Sequence, residues 1–310
     1  MTNPTARAAS GPQFTLRRND ATAVIASLAA GLRHYDRSGV ALVEGYGAGE
    51  TAPGAAGITL APFANRVEGG RWELDGKAQQ LDITEVPRNN AIHGLLRNTG
   101  YAALESSEHH VLLEAVIYPQ HGYPFLARHQ VRYGLTADGA LRVAQTLIND
   151  SPKPAPFVLG AHPYFRLGDT PAEQLTVTVH AGSYLAANDR MIPTDTLPVE
   201  GIYDLRRGRL LPEVQMDTAF TALGFGGTAA DDGVARQTLS APDGRSVSLW
   251  HDRSVSFVHV FITSDFPGRP LAVALEPMTG PANAFNSGDG LKWLAPGERF
   301  TMNWGVDSEL

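Results

Sequence analysis

The sequence predicts an all-β protein whose antiparallel sheets are packed face to face or closed on themselves. Three observations support this fold class. Apolar residues alternate with polar ones along many short segments, Asp-Gly pairs separate several of these segments, and few segments favour a helix. Apolar residues at positions i, i+2 and i+4 share one side of a pleated strand, whereas a helix requires a period of 3.6 residues. Many strands with few helices are typical of sandwiches and barrels.

The alternation is clearest in the segment HVLLEAVIY, residues 110–118, where every second residue is apolar. We expect these apolar side chains to face a common core, because successive side chains of a strand point to opposite faces. The same period occurs at Val111, Leu113, Ala115 and Ile117, at Trp72 and Leu74, at Leu175, Val177 and Val179, at Val258, Val260 and Ile262, and at Phe300, Met302 and Trp304.

Turns and connections indicate how the strands are joined. Asp-Gly pairs at 75–76, 138–139 and 243–244 supply the positive φ angles that tight hairpins require. The alanine-rich stretch 21–32 is the one segment predicted to be helical, on propensity. No Pro/Ser-rich linker divides the chain, so a single domain over residues 1–310 is predicted, with residues 1–12 flexible.

Composition excludes several classes of partner. The net charge of −7 argues against nucleic acid and anionic membranes, because binding phosphates requires clustered Lys and Arg. The chain has no cysteine, so disulfides, thiolate metal sites and a cysteine nucleophile are excluded, which fits a cytoplasmic location. His109 and His110 are adjacent but point to opposite faces of a strand, so no metal site is predicted there.

Polar residues at the ends of apolar segments are the candidates for chemistry. Burying a polar or charged side chain is unfavourable unless it has a hydrogen-bond or ion-pair partner, or serves in binding or catalysis. Each also has a structural alternative: Arg66 pairing with Glu68, Asp217 capping a turn, Glu276 bridging to a Lys or Arg, and His162 packed as a core histidine. The candidates are Asn65, Arg66, His93, His162, Asp217 and Glu276.

Five short motifs resemble those of the aldose 1-epimerases, the mutarotases of galactose and glucose. They are PFANR, IHG, HPYF, DTAF and LEPMTGPANAFN, in the order and approximate spacing of that family, and the resemblance extends from about residue 20 to residue 305. It implies a large antiparallel β-sandwich of the galactose-mutarotase-like supersandwich type, with a sugar cleft on one sheet. This agrees with the alternating pattern.

The resemblance also implies a function and assigns roles to residues. Glu276 would be the general base and His162 the general acid of a hexose mutarotase. The sugar would be bound by Asn65, Arg66, His93, Tyr164 and Asp217. Ring opening and closure need one base and one acid, for which a carboxylate and an imidazolium (ordinary pKa about 4.3 and 6.5) suffice just below neutrality. No cofactor and no metal are therefore expected, and the protein would act as a monomer or homodimer.

Three positions depart from the family's pattern and are expected to border the pocket. Leu95 stands where glycine often follows HG, Arg166 where asparagine often follows HPYF, and residues 281–284 read PANA instead of the usual PDA. Arg97 and Arg166 leave open an epimerase of a phosphorylated or sulfonated hexose, because arginine binds anions through charge-assisted bidentate contacts. A non-catalytic carbohydrate-binding sandwich is the further alternative, although it would not need a matched acid and base.

Overall fold

The computed structural model describes residues 8–225 and 233–310. Within these residues, helix is confined to α1 (Ala284–Ser287) and five 3₁₀ turns at Pro53–Ala55, Val86–Arg88, Ala172–Gln174, Gly201–Tyr203 and Leu211–Glu213. The strands are β1 (Gln13–Arg18), β2 (Ala21–Ala26), β3 (Gly31–Arg37), β4 (Val40–Ala41), β5 (Thr59–Leu60), β6 (Arg66–Glu68), β7 (Arg71–Leu74), β8 (Lys77–Gln80), β9 (Asn90–Ile92), β10 (Ala102–Ser106), β11 (His110–Ile117), β12 (Ala127–Leu135), β13 (Leu141–Asn149), β14 (Ala155–Phe157), β15 (Gly160–Ala161), β16 (Tyr164–Phe165), β17 (Thr176–Thr178), β18 (Ala181–Ala187), β19 (Pro193–Pro198), β20 (Arg209–Leu210), β21 (Asp217–Leu223), β22 (Val234–Ser240), β23 (Ser246–Asp252), β24 (Phe257–Thr263), β25 (Ala272–Met278), β26 (Lys292–Leu294) and β27 (Arg299–Glu309).

Two large antiparallel sheets form the body of the fold. The first has nine strands in the order β10-β11-β12-β13-β27-β23-β22-β17-β20. The second has eight, in the order β19-β18-β21-β24-β25-β15-β5, with β16 also paired to β25. One core cluster draws side chains from both sheets, including Leu113, Tyr133 and Trp304 from the first and Phe220 and Leu275 from the second. The predicted all-β sandwich is therefore confirmed.

Smaller sheets complete the molecule and carry part of the cleft described below. The four-stranded sheet β1-β2-β3-β4 lies at the start of the chain, and three two-stranded ribbons pair β6 with β9, β7 with β8 and β14 with β26. Among the described residues, no helix is long and apolar enough to cross a membrane.

The alternating pattern correctly predicts which side chains are buried in the nine-stranded sheet. In β11, Val111, Leu113, Ala115 and Ile117 are buried and the intervening residues are only partly so. In β24 the pattern is less regular, because Phe257 through Val260 are all buried. Both faces of this strand are packed, since Val258 and Val260 enter the main core and Phe257 belongs to a second apolar cluster with Leu185 and Met278.

One local expectation is wrong. The stretch 21–32 is not helical: Ala21–Ala26 forms β2, in which Ala21, Ala23 and Ile25 are buried. Alternate burial outweighs the helix propensity of alanine, which is a weak bias. Of residues 1–12, positions 1–7 lie outside the described residues, whereas Ser10 is fully buried and its hydroxyl donates to the carbonyl of Ala48 at 2.8 Å.

The Asp75-Gly76 pair forms the predicted two-residue hairpin turn between β7 and β8. Both residues have positive φ, 50° and 73°, as a type I′ turn requires. At the other two Asp-Gly pairs only the glycines have positive φ, 86° at Gly139 and 93° at Gly244. These two pairs lie in the longer loops that join β12 to β13 and β22 to β23.

Candidate active site

Three adjacent strand segments bring two histidines to either side of Glu276. Glu276 on β25 lies directly opposite His259 on β24. On its other side, β25 pairs Met278 with Gly160 and Ala274 with Tyr164, so the same register places His162 opposite Glu276. The side chains of Val273 and Leu275 face the main core, and Glu276 therefore faces the opposite side of the sheet.

A separate ribbon supplies the opposite wall. Arg66 on β6 pairs with Ile92 on β9, and the amide of His93 donates to the carbonyl of Asn65 at 2.9 Å. Asn65 and His93 have φ angles of 52° and 66°, in the left-handed region that Asn and His enter more readily than most residues. Gly94 follows at φ 78°, where a Cβ would lie 2.2 Å from the carbonyl oxygen of Ala61.

The two walls enclose a cleft of about 780 Å³. The six candidate residues converge on it although they come from five separate stretches of chain. On its wall lie Asn65, Arg66, His93, His162, Asp217 and Glu276.

Tyr164 is the one predicted sugar-binding residue that is not on this wall. Its side chain is 1% exposed and is covered by the loop containing Gly54, whose carbonyl accepts a 3.3 Å hydrogen bond from the tyrosine hydroxyl. The centre of the tyrosine ring lies 5.2 Å from the centre of the His162 ring and 4.8 Å from that of the Phe266 ring, and both pairs of rings are tilted relative to each other. Tyr164 therefore packs against His162, and its side chain does not reach the cleft in which a sugar would bind.

Glu276 and His162 form a close, buried pair. Nε2 of His162 lies 3.4 Å from Oε1 of Glu276, and the side chains are 5% and 2% exposed. Four buried polar atoms around this pair have no hydrogen-bond partner among the described residues: Oε2 of Glu276 and the Nδ1 atoms of His93, His162 and His259. Buried polar groups are nearly always satisfied, so such a concentration indicates a site that binds polar groups.

Burial determines the charge of the two histidines nearest the ribbon. It lowers the pKa of His162 below the ordinary 6.5, although the charge of Glu276 opposes the shift. It lowers the pKa of His93 much further, with the charges of His162 and Arg97 adding to the effect. The rings lie 5.2 Å apart and nearly perpendicular. At neutral pH both are therefore mainly neutral, and the imidazolium expected at His162 just below neutrality predominates only below pH 6.5.

His259 is a residue of the cleft that the sequence analysis missed. Its Nε2 lies 2.6 Å from Oδ1 of Asp217, and the side chain is 6% exposed. Burial by itself lowers the pKa of His259, but the hydrogen bond to Asp217 and the charge of Glu276 outweigh it, so the pKa is raised. The signal was present: a histidine between Val258 and Val260 must face away from the core that those valines enter.

Arg66 is held by Glu85 and not by the expected Glu68. Its Nε and Nη2 donate to the Glu85 carboxylate at 2.9 and 3.0 Å, its Nη1 donates to Asn65 Oδ1 at 3.2 Å, and Nη2 lies 3.6 Å from Asp217. Glu68 pairs with Arg190 at 2.9 Å instead. Asp217 likewise does not cap a turn, because its carboxylate is held by His259 and Arg66. Glu85 was not a candidate, since it lies in a loop with no apolar pattern.

Comparison with known proteins places this cleft in a family. The family model described as aldose 1-epimerase matches residues 12–305. The chain belongs to the aldose 1-epimerase family. It is an isomerase of the mutarotase type that acts on a sugar.

Individual relatives agree with this assignment. The uncharacterized protein YihR of Escherichia coli K12 is 31% identical over 291 residues, which cover 93% of this chain and 91% of YihR. The galactose mutarotase of Rattus norvegicus is 32% identical over 162 residues, 49% of this chain and 45% of the rat protein, so that match spans about half of each chain.

Solved structures of aldose 1-epimerase type share the fold. A putative aldose 1-epimerase from E. coli K12 superposes with a TM-score of 0.81 at 20% identity and covers 96% of this chain and 99% of its own. A galactose 1-epimerase from Lactobacillus acidophilus NCFM has a TM-score of 0.76 at 19% identity and covers 95% and 93%.

The three departures from the aldose 1-epimerase pattern do not line the cleft, contrary to expectation. Leu95 packs against the main core. Arg166 turns away, and its guanidinium donates to the carbonyl of Gly168 at 2.6 and 3.0 Å and approaches Glu44 at 3.5 Å. Residues 281–284 are absent from the wall as well. Of the two arginines considered for anion binding, only Arg97 lines the cleft.

No group of three or more His, Asp or Glu side chains within the described part of the chain is arranged to hold a metal ion. His109 and His110 bind separately, to the carbonyl of Arg17 and to Ser107.

Proposed function

We propose that the protein is an aldose 1-epimerase that interconverts the α and β anomers of a hexose through Glu276 and His162. The observation that supports this most strongly is the 3.4 Å approach of the carboxylate to the imidazole, within a cleft whose buried polar atoms lack partners. O1 and the ring oxygen O5 of a pyranose are both bonded to C1, so the base and the acid must be neighbours. The side chains of Glu276 and His162 are such neighbours.

In the opening step the Glu276 carboxylate removes the proton from the C1 hydroxyl. The electron pair of that O–H bond forms the C1=O1 double bond, the C1–O5 bond breaks with its electron pair going to O5, and O5 takes a proton from the imidazolium form of His162, which is the minor form at neutral pH because burial lowers the pKa of His162. The C1–C2 bond then rotates and presents the other face of the aldehyde. In closure, neutral His162 removes the O5 proton, O5 attacks C1, and O1 takes the proton held by Glu276. Both residues are restored, and neither a cofactor nor a metal enters the balance.

The surrounding groups support these transfers. His259, whose pKa is raised by its hydrogen bond to Asp217, lies directly across from Glu276. Asn65, Arg66, His93 and Asp217 offer donors and acceptors to the sugar hydroxyls. The catalyst is one domain over residues 1–310, active as a monomer or homodimer.

Polarimetry of freshly dissolved α-anomers tests the proposal. Glu276→Gln keeps the shape of the side chain but removes the base, so the rate is expected to fall by roughly 10²-fold or more. His162→Asn removes the acid, and a comparable fall is expected. The double variant is expected to be only slightly slower than either single one, because both residues act on one transition state.

His121→Asn is the matched control, since this exposed histidine pairs only with Asp82. It is expected to retain the wild-type rate. If His162→Asn kept the wild-type rate and lowered only the melting temperature, His162 would be a structural histidine and the acid would have to be sought at His93.

A further inference from the structure

Arg97 is a cation on the cleft wall for which residues 8–225 and 233–310 provide no acidic partner. It lines the cleft, is half-buried, and its guanidinium makes one long hydrogen bond, from Nη1 to the carbonyl of Ile92 at 3.4 Å. No carboxylate in the described part of the chain lies within ion-pair distance of it. Burial lowers the pKa of Arg97, and no neighbouring charge offsets this. Arginine nevertheless stays protonated, so an almost unused set of five N–H donors faces the cleft.

Other charged groups of the cleft, unlike Arg97, have a partner of opposite charge or are exposed to water. Arg66 is bound by Glu85 and Asp217, and Arg88 lies 3.1 Å from Glu85. Asp217 is bound by His259. Asp265 also lines the cleft without an ion pair, but it is exposed and water solvates it. Removing a charge from water without a counter-charge is unfavourable, so Arg97 is the position where the cleft lacks an anion.

The reaction restricts where a substrate can carry that anion. Mutarotation requires a free hydroxyl at C1, and O5 closes the ring, so neither can be substituted. The exocyclic C6 of a hexose can carry a charged group without affecting either step. Arg97 contacts Ile92, which adjoins His93, and the His93 ring packs against His162. The cation therefore lies on the ribbon side of the cleft, bonded to the residue that precedes His93.

We propose that the substrate is a hexose with a singly charged anionic group on C6, bound by the guanidinium of Arg97. This rests on the function proposed above and specifies its substrate class. One unmatched positive charge suits a carboxylate or a sulfonate. A phosphate monoester carries roughly −1.5 to −2 at pH 7 and would leave charge uncompensated. Arginine binds either group through two parallel N–H donors.

Mutarotation kinetics on four sugars of one stereochemistry test this proposal. They are the neutral hexose, its 6-carboxylate (the hexuronic acid), its 6-deoxy-6-sulfonate and its 6-phosphate. A charge-assisted hydrogen bond is strong enough for the carboxylate or the sulfonate to exceed the neutral sugar in kcat/KM by about 10- to 100-fold. In Arg97→Gln that preference is expected to fall to within about threefold, since the charge is what confers it.

Arg166→Gln is the matched control, because it removes the same charge outside the cleft, and it should preserve the wild-type preference. The ratio of the two sugars also cancels any effect of Arg97 on the pKa of His93, which would act on both alike. Equal kcat/KM for neutral and anionic sugars, a preference that survives Arg97→Gln, or the phosphate as the best substrate would each overturn the proposal.

Binding to Glu276→Gln separates this proposal from the function it rests on. If no sugar were mutarotated, the proposed function would fail, but calorimetry would still show whether an anionic hexose binds. Tighter binding of the carboxylate or sulfonate than of the neutral sugar, lost in the double variant with Arg97→Gln, supports the role of Arg97. Equal binding of the charged and neutral sugars refutes it.

Discussion

Replacing Asp217 by Asn isolates the charged pair that supports the active site. Asp217 and His259 are joined by a 2.6 Å hydrogen bond, with side chains 24% and 6% exposed. A hydrogen bond between charged groups contributes about 1.5–3 kcal/mol to stability, and because the amide oxygen of Asn still accepts, we expect a loss of about 1.5–2 kcal/mol. At about 2 °C per kcal/mol for a large domain, the melting temperature should fall by about 3–4 °C.

The pH dependence of the fall in melting temperature shows whether it comes from the interaction of Asp217 with protonated His259. The pKa of His259 is raised in the folded protein, so the stability it contributes is fully present below its ordinary 6.5 and is lost as the pH rises through the folded value. The melting temperatures of the wild type and Asp217→Asn should therefore differ most near pH 6 and converge under alkaline conditions. Thermal melts between about pH 5.5 and 9.5 measure this convergence.

A double-mutant cycle with His259→Gln isolates the pair from the 3.6 Å contact of Asp217 with Arg66. We expect a coupling energy of about 1–2 kcal/mol at pH 6 that vanishes once His259 is neutral. Asp243→Asn is the control, because it removes a carboxylate from an exposed pair with Arg245, and such pairs contribute little. A melting-temperature loss that is equal at every pH, or a coupling below about 0.5 kcal/mol at pH 6, would refute the reasoning.

Three further predictions concern the cofactor, the pH profile and the ribbon. Dialysis against a chelator should leave mutarotation unchanged, and activity that is lost and then restored by a divalent metal would contradict the acid–base mechanism. Because burial lowers the pKa of His162, the alkaline limb of kcat/KM should lie below pH 6.5, and a limb above 7 would show that the imidazolium is more stable than the structure indicates. Gly94→Ala places a Cβ 2.2 Å from the carbonyl oxygen of Ala61 at a φ of 78°, so a loss of more than about 1 kcal/mol and displacement of His93 are expected, measured by denaturation and sugar affinity.

Much of the fold could be predicted because its causes are local. Alternation of Val111, Leu113, Ala115 and Ile117 is a property of neighbouring residues, and so is the hairpin at Asp75-Gly76. The alanine-rich strand β2 was misassigned for the opposite reason, since its burial depends on β1, β3 and the core and not on its own propensity.

The candidate site could be predicted only in part. The five motifs contain six of the residues that the structure brings to the cleft: Asn65, Arg66, His93, His162, Asp217 and Glu276. Tyr164 was placed with the sugar because it adjoins His162 in the motif, but the loop at Gly54 covers it. Arg166 was grouped with Arg97 on residue type alone, yet Glu44 and the carbonyl of Gly168 draw it away from the cleft.

The sequence by itself determined the fold class and the hairpin at Asp75-Gly76, because these depend on residue type and short-range pattern, and the resemblance of its motifs to the aldose 1-epimerases suggested Glu276 and His162 as the reactive pair. Only the tertiary structure decided which groups are charged. His162 and His259 have the same ordinary pKa, but burial lowers that of His162 and the hydrogen bond to Asp217 raises that of His259, while Arg97 has no ion-pair partner among the described residues. These differences arise from desolvation and from partners many residues distant, such as Asp217 beside His259, which only the packed sheets bring together.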